Sequence, residues 1–107
     1  MDSKAFHILL SLAAGPKHGY GIRQEVEERT AGEVRLWPAS LYGTLAELSD
    51  ARLIEEAASP GGADDDARRK YYALTGPGRS ALRAEATRLE RLARLARAHL
   101  SLGEAEA

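Results

Sequence analysis

The chain has 107 residues, a formal net charge of −1 at pH 7 and no cysteine. This length fits one domain with a modest core, and the missing cysteines exclude disulfides and thiolate metal sites and favour the cytoplasm. The near-neutral charge argues against a strongly basic nucleic-acid binder. The longest apolar run, AFHILLSLAAG, is too short to cross a bilayer and lacks the basic leader of a signal peptide.

Three helices are predicted in the first half of the chain, from apolar spacing and from cap and stop residues. Gly32 supplies the stop of the second helix, and Pro38 suits the first position of the third because its missing N–H would be unpaired there anyway. The predicted helices cover residues 2–14, 19–30 and 38–51.

The first helix is apolar around almost its whole circumference. A helix of this kind is buried on more than one side. In so small a domain we expect a second subunit to cover part of it, at Phe6, Leu9 and Leu10.

The third helix has two unlike faces. Leu41, Leu45 and Leu48 form a core face, while the opposite face is small and polar and carries no Lys or Arg. A helix that only meets water usually carries more charge, so this face is predicted to meet a partner. We interpret Trp37, just before the helix, as a packing residue.

Two strands follow, RLIEEAA and RRKYYALT, around the acidic loop SPGGADDDA. This pattern predicts a β-hairpin. Alternation places Tyr72 and Leu74 on the core face. A basic cluster of Arg68, Arg69 and Lys70 lies near the loop end of the second strand.

A long last helix is predicted over residues 76–102, with Thr75 as its cap. Its apolar residues recur in a heptad-like stripe, and the chain ends before anything could cover them. The stripe could pack back on the chain's own helices, but we favour a dimer partner. The predicted interface on this helix comprises Leu82, Leu89, Leu92, Leu95, Ala96 and His99.

The element order is helix, helix, helix, hairpin and long helix. It predicts a mainly α chain with a small β-hairpin, a winged helix-turn-helix over residues 1–75 followed by a dimerisation helix and short tail over residues 76–107. Three sequence blocks, ILLSLAAGPKHGYGIRQEVEERTAG, PASLYGTLAELSDARLIEE and RRKYYALTGPGRSALRAE, resemble the PadR family of transcriptional regulators, in its subgroup with a short C-terminal part.

The resemblance implies a cytoplasmic homodimer that binds double-stranded DNA at a palindromic operator, as a repressor. It also implies that a small aromatic effector can release the DNA. The sequence departs from the family pattern at Ala39-Ser40-Leu41, where Gly-Thr-Leu is common, and in its acidic residues Asp64–Asp66.

We predict DNA contacts at the start of the second helix, on the third helix and on the hairpin. Ser, Thr and Tyr hydroxyls suit phosphates or base edges, and Gly43 would let the backbone come close. His18 serves equally well as a turn cap, and the basic cluster could instead be a solvated strand end paired with the loop aspartates. The predicted contact residues are Lys17, His18, Tyr20, Ser40, Tyr42, Gly43, Thr44, Arg68, Arg69 and Lys70.

No catalytic motif is present, and the histidines have no metal-ligand spacing. We therefore predict no enzyme activity, no metal and no cofactor. Two other hypotheses stay open. The chain could be a winged-helix module that binds protein instead of DNA, because the charge is near zero and the third helix lacks arginine. It could also be a ligand sensor with a pocket near Phe6, Leu92, Ala96 and His99.

Overall fold

The computed structural model describes residues 1–60 and 69–106 of the chain. The predicted order of three helices, a hairpin and a long helix is confirmed, and one further short strand precedes the second helix. Arg68 and Asp64–Asp66 lie outside the described residues. The elements are α1 (Ser3–Ala13), β1 (Lys17–His18), α2 (Gly19–Arg29), α3 (Pro38–Asp50), β2 (Ile54–Ala57), β3 (Tyr71–Leu74) and α4 (Gly76–Glu106).

Helix α1 is the central element of the fold, in contact with α2, α3, α4 and β3. Its apolar residues are therefore covered by the chain's own elements, which explains why the helix is apolar nearly all round. Leu9 is 0% exposed within the core. The prediction that Leu9 lies at a dimer interface is wrong. Phe6 and Leu10 are half-buried and keep part of their surface free.

The sheet has three antiparallel strands in the order β1-β3-β2. Strand β1 pairs with β3 through Lys17 and His18, opposite Tyr72 and Tyr71. On its other side β3 pairs with β2, with Ile54 opposite Leu74. The sheet thereby ties the start of α2 to the hairpin, which we call the wing.

The junction between the wing and α4 is held by Thr75. Its backbone N–H donates to the Leu53 carbonyl at 3.1 Å, and its hydroxyl donates to the Arg52 carbonyl at 2.7 Å. The same hydroxyl accepts from the Gly78 N–H at 2.9 Å, so the predicted cap is confirmed. Gly78 is buried directly against the Leu53 carbonyl, in space that a Cβ would need.

Lys17 belongs to a polar network between α1 and α2. Its ammonium donates to the Ser11 carbonyl at 2.7 Å and lies 3.5 Å from the Glu25 carboxylate. Arg29 closes the network, because its guanidinium donates to the Ser11 hydroxyl at 2.9 Å and to Glu25 at 2.7 Å. Lys17 therefore uses its charge inside the fold, which corrects its predicted role as a contact for phosphate.

His7 borders this network, with its Nδ1 3.3 Å from the Arg29 guanidinium. Burial and the neighbouring Arg29 guanidinium lower the pKa of His7 below its ordinary value. Between that lowered pKa and about 6.5, the unfolded chain binds more protons than the folded one, so stability is lost as pH falls through this window. We expect His7→Gln to reduce the fall in melting temperature between pH 7.5 and 5.5.

The control for this pH test is Thr87→Gln, a change at an exposed position of α4 that adds no titratable group. This variant should keep the wild-type response to pH in the same thermal unfolding series. An equal fall in melting temperature for wild type and His7→Gln would contradict the assignment.

Helix α4 extends beyond the rest of the fold. Its first turns pack on α1, with Leu82 against the core, whereas all residues from 87 to 104 are exposed. The chain is consequently elongated, with a longest dimension of 63 Å. No described helix combines the length and the apolar character needed to cross a membrane.

Candidate nucleic-acid interface

The outer face of α3 is small and uncharged in its first half. Leu41, Leu45 and Leu48 are buried, and this orientation turns Ala39, Gly43 and Ala46 outward. A Cβ added at Gly43 would meet nothing within 4 Å. No contact among the described residues therefore requires glycine at this position.

Two of the predicted contacts on α3 lie on its flank. Ser40 and Thr44 are half-buried, and the Ser40 hydroxyl accepts from the Lys4 ammonium at 3.3 Å. The predicted set therefore holds two flank residues and lacks the outward Ala39 and Ala46. The helical spacing alone already places these alanines opposite the leucines.

Tyr42 lies on the other flank of α3, towards the wing, and is 56% exposed. Its ring rests against Gly19, where an added Cβ would lie 3.2 Å from the hydroxyl oxygen. Gly19 therefore sets the close approach of α2 and α3. Sequence reasoning missed this glycine, although the short segment HGYG contains two glycines at a helix start.

His18 caps α2, because its Nδ1 accepts from the Gly21 N–H at 3.1 Å. The imidazole lies parallel to the Tyr20 ring at 6.4 Å and edge-on to the Tyr71 ring at 5.2 Å. The capping interpretation is thus confirmed. Tyr20 itself is 60% exposed beside it.

The residues just before β3 bring two of the predicted cations to this surface. The Arg69 guanidinium lies 3.2 Å from Nε2 of His18. The Lys70 ammonium pairs with Glu56 at 3.0 Å, and the hydrogen bond to this carboxylate raises the pKa of Lys70 above its ordinary value. Both side chains are exposed, so water weakens the ion pair and Lys70 can exchange Glu56 for another anion.

Two hollows flank Tyr42, and their charges differ. The hollow towards α2, which we call the basic hollow, is lined by His18, Gly19, Tyr20, Tyr42, Arg69, Lys70 and Tyr72. No carboxylate of the described residues lines it. The hollow towards β2, which we call the acidic hollow, shares Tyr42, Lys70 and Tyr72 but adds the carboxylates of Asp50, Glu55 and Glu56 and one further cation, Arg52. Among the described residues, the balance of charge therefore favours an anion on the α2 side of Tyr42.

Trp37 is 58% exposed, so its interpretation as a packing residue is wrong. The preceding Leu36 is fully buried and fills the core position, which leaves the indole outside at the start of α3. The Arg23 guanidinium lies 5.9 Å from the centre of the indole and also pairs with Glu27 at 3.5 Å. Sequence reasoning missed Arg23, because no local pattern links it to a residue fourteen positions away.

A second surface lies on α4, beyond the turns that pack on α1. Its leucines at 89, 92, 95, 100 and 102 are between 39% and 65% exposed, and Ala96 and His99 are exposed with them. We call this row of residues the α4 stripe. It begins at an open hollow that Phe6 and Leu89 share.

Glu85 closes the inner end of this hollow. It is buried and forms ion pairs with Arg88 and with the Met1 amine. The hydrogen bond from Arg88 holds the pKa of the Glu85 carboxyl below its ordinary value. Among the described residues, no group of three or more His, Cys, Asp or Glu side chains could hold a metal ion.

The fold defines a winged helix-turn-helix protein with an added long helix. Residues 8–84 match the family model for the Transcriptional regulator PadR-like family. The chain belongs to this family, which comprises regulators of transcription. Family membership agrees with the prediction that the chain is no enzyme.

Known proteins with the same fold support this assignment. A crystal structure of a PadR family transcription regulator from Clostridium difficile has a TM-score of 0.77 at 26% identity, covering 92% of this chain and 99% of that one. Bacillus subtilis PadR in complex with operator DNA has a TM-score of 0.66 at 24% identity, covering 80% and 48%. At that identity the second likeness concerns the fold alone.

A relative by sequence is a 37.1 kDa protein of a Streptomyces fradiae transposon. The two are 39% identical over 85 residues, which is 79% of this chain. The chain spans only 22% of the length of that protein.

Proposed function

We propose that the chain is a homodimeric repressor that binds a palindromic DNA operator through α3, the start of α2 and the wing. One observation carries this proposal: the uncharged outer face of α3 lies beside a hollow lined by His18, Arg69 and Lys70. A face with small side chains can enter a groove, and cations at its edge can reach the flanking phosphates. The crystal structure of Bacillus subtilis PadR with operator DNA supports the proposal by analogy.

The α4 stripe would pair two copies of the chain. A leucine row that the described part of its own chain leaves uncovered gains free energy by burial against the same row of a second copy. In such a dimer the two α3 helices would enter successive major grooves, roughly 34 Å apart on one side of the duplex.

The protein would recognise its DNA sequence mainly through the complementary shapes of α3 and the groove. The outer face of α3 offers no Arg, Lys, Asn or Gln in its first half, so strong bidentate contacts with base edges are missing there. Specificity would instead come from close approach, from contacts with thymine methyl groups and from the spacing of the two half-sites. In this proposal a small aromatic effector binds in the open hollow beside Phe6 and Leu89, at the beginning of the α4 stripe.

The test of DNA binding is fluorescence anisotropy with the DNA upstream of the chain's own gene, against a random duplex of equal length. We expect specific binding at low salt that weakens steeply as salt rises, because phosphate contacts release counterions. Arg69→Glu should weaken binding further by reversing one charge at the DNA edge. Equal affinity for both duplexes, with a folded dimer, would rule out an operator-specific regulator.

Gly43→Ala separates the close approach of α3 to DNA from the stability of the folded protein. Alanine in the middle of a helix is favoured over glycine by about 1 kcal/mol, and the methyl group has open space in the free protein. We therefore expect a higher melting temperature but at least tenfold weaker operator binding, since the methyl group would hold α3 off the groove. Thermal unfolding and anisotropy measure the two effects.

Gly76→Ala provides a matched control. It makes the same change at another exposed helical glycine with open space, at the start of α4 and outside the dimer face. This variant should bind the operator as wild type does. Wild-type affinity for Gly43→Ala would show that α3 does not approach DNA closely.

A further inference from the structure

His18 sits between two hydrogen-bond donors. The Gly21 N–H faces its Nδ1 at 3.1 Å, and the Arg69 guanidinium faces its Nε2 at 3.2 Å. Neither a backbone N–H nor a guanidinium can accept a hydrogen bond. A neutral imidazole accepts at one ring nitrogen only. One of the two contacts must therefore set a donor against a donor.

The fixed backbone decides which contact is the mismatch. Gly21 is held inside α2 and its amide position cannot change, while the exposed Arg69 side chain can rotate. Nδ1 is thus the acceptor and Nε2 carries the hydrogen. Both side chains line the basic hollow, and once the Arg69 side chain turns away from Nε2–H, an anion beside the two groups can accept from both.

The ring that carries this donor is already in place before any ligand arrives. The cap hydrogen bond fixes one edge of the imidazole, and the Tyr20 and Tyr71 rings flank it. The backbone of His18 is held in the sheet opposite Tyr71. A donor fixed in this way loses little conformational entropy on binding.

We propose that His18 Nε2–H and the Arg69 guanidinium together hold one phosphate group of the DNA backbone in each half-site. This inference rests on the proposed DNA-binding function and assigns one of its contacts. The phosphate relieves the mismatch between two donors, and the acidic side chains that would repel it line the other hollow, beyond Tyr42. His18 therefore caps α2 with one nitrogen and binds DNA with the other.

The test uses variants that separate the two roles. His18→Asn keeps an oxygen that can cap α2, because asparagine is among the best N-cap residues, but it loses the Nε2–H. Arg69→Gln removes the charge and leaves the cap untouched. We expect about tenfold weaker operator binding for each variant, as for loss of one charge-assisted hydrogen bond, with unchanged circular dichroism.

The double variant decides whether the two residues share a ligand. If both hold the same phosphate, His18→Asn with Arg69→Gln should bind about as weakly as one single variant, not about a hundredfold more weakly than wild type. Arg83→Gln is the charge-matched control, because Arg83 is exposed on α4 and lines neither hollow. It should bind like wild type.

Operators with a single neutral methylphosphonate locate the phosphate. Several positions should weaken wild-type binding, and at one of them in each half-site this sensitivity should disappear in both single variants but persist in Arg83→Gln. In NMR spectra at constant ionic strength, operator DNA should shift the His18 ring signals and millimolar inorganic phosphate should not.

Two results would overturn the shared phosphate contact while leaving wild-type operator binding intact. One is a double variant whose loss of affinity equals the two single losses combined. The other is a shift of the His18 ring signals with inorganic phosphate as large as the shift with operator DNA. No operator binding by the wild type would instead overturn the proposed function, and this inference with it.

Discussion

Leu92→Asp is expected to convert the protein to a folded monomer. Leu92 lies in the α4 stripe and is 39% exposed, so a carboxylate there meets water in the single chain. In a dimer the same carboxylate would be buried without a partner, which costs several kcal/mol. We expect dimer dissociation at least about a hundredfold easier, since each 1.4 kcal/mol is a factor of ten. Analytical ultracentrifugation over a concentration series measures it.

Thr87→Asp is the matched control for the stripe. Thr87 is exposed on the same helix, two positions before Leu89 and on the side opposite Leu89 and Leu92. This variant should remain a dimer and bind DNA normally. Leu92→Asp should in addition lose most of its operator affinity, because each monomer then holds only one half-site. A dimeric Leu92→Asp protein would place the interface elsewhere.

Gly78→Ala is expected to destabilise the fold by about 3 kcal/mol, at the upper end of the usual cost of overpacking. An added Cβ would overlap the Leu53 carbonyl oxygen and lie 2.9 Å from Cδ1 of Leu74. The Leu53 carbonyl also accepts from the Thr75 N–H, so it cannot move without loss of that hydrogen bond. Chemical denaturation at equilibrium gives the change in the free energy of unfolding.

Gly76→Ala makes the same substitution two residues earlier, where nothing lies within 4 Å of the added methyl group. Its free energy of unfolding should stay within about 0.5 kcal/mol of wild type, as for most surface changes. Equal stabilities for the two variants would show that the wing and α4 can separate at Gly78 at little cost.

Most of the fold could be predicted from local pattern. Cap and stop residues at Asp2, Thr75 and Gly32 and the proline at position 38 place the helix ends close to their observed positions. Strand β1 could not be found this way. It has two residues and exists only because β3, more than fifty positions later, offers its edge. The covering of α1 was likewise misjudged, because helical periodicity gives the faces of a helix but not its neighbours.

The candidate site was only partly predictable, for the same reason. The uncharged face of α3 follows from the spacing of Leu41, Leu45 and Leu48. The exposure of Trp37 does not follow, because it depends on Leu36 filling the core in its place. The sequence also does not predict that Lys17 forms an ion pair with Glu25, whereas Arg69 is exposed beside His18. Whether a cation is available depends on contacts between distant elements.

The side chains on the outer face of α3 have a consequence for the thermodynamics of binding. Ala39, Gly43 and Ala46 have no rotatable side-chain bonds to restrict when the helix docks. Each flexible side chain that is immobilised at an interface costs about 0.5–1.5 kcal/mol, and this face avoids that cost. Recognition through α3 should therefore carry a smaller entropic penalty than recognition through arginines, with a negative heat-capacity change from apolar burial.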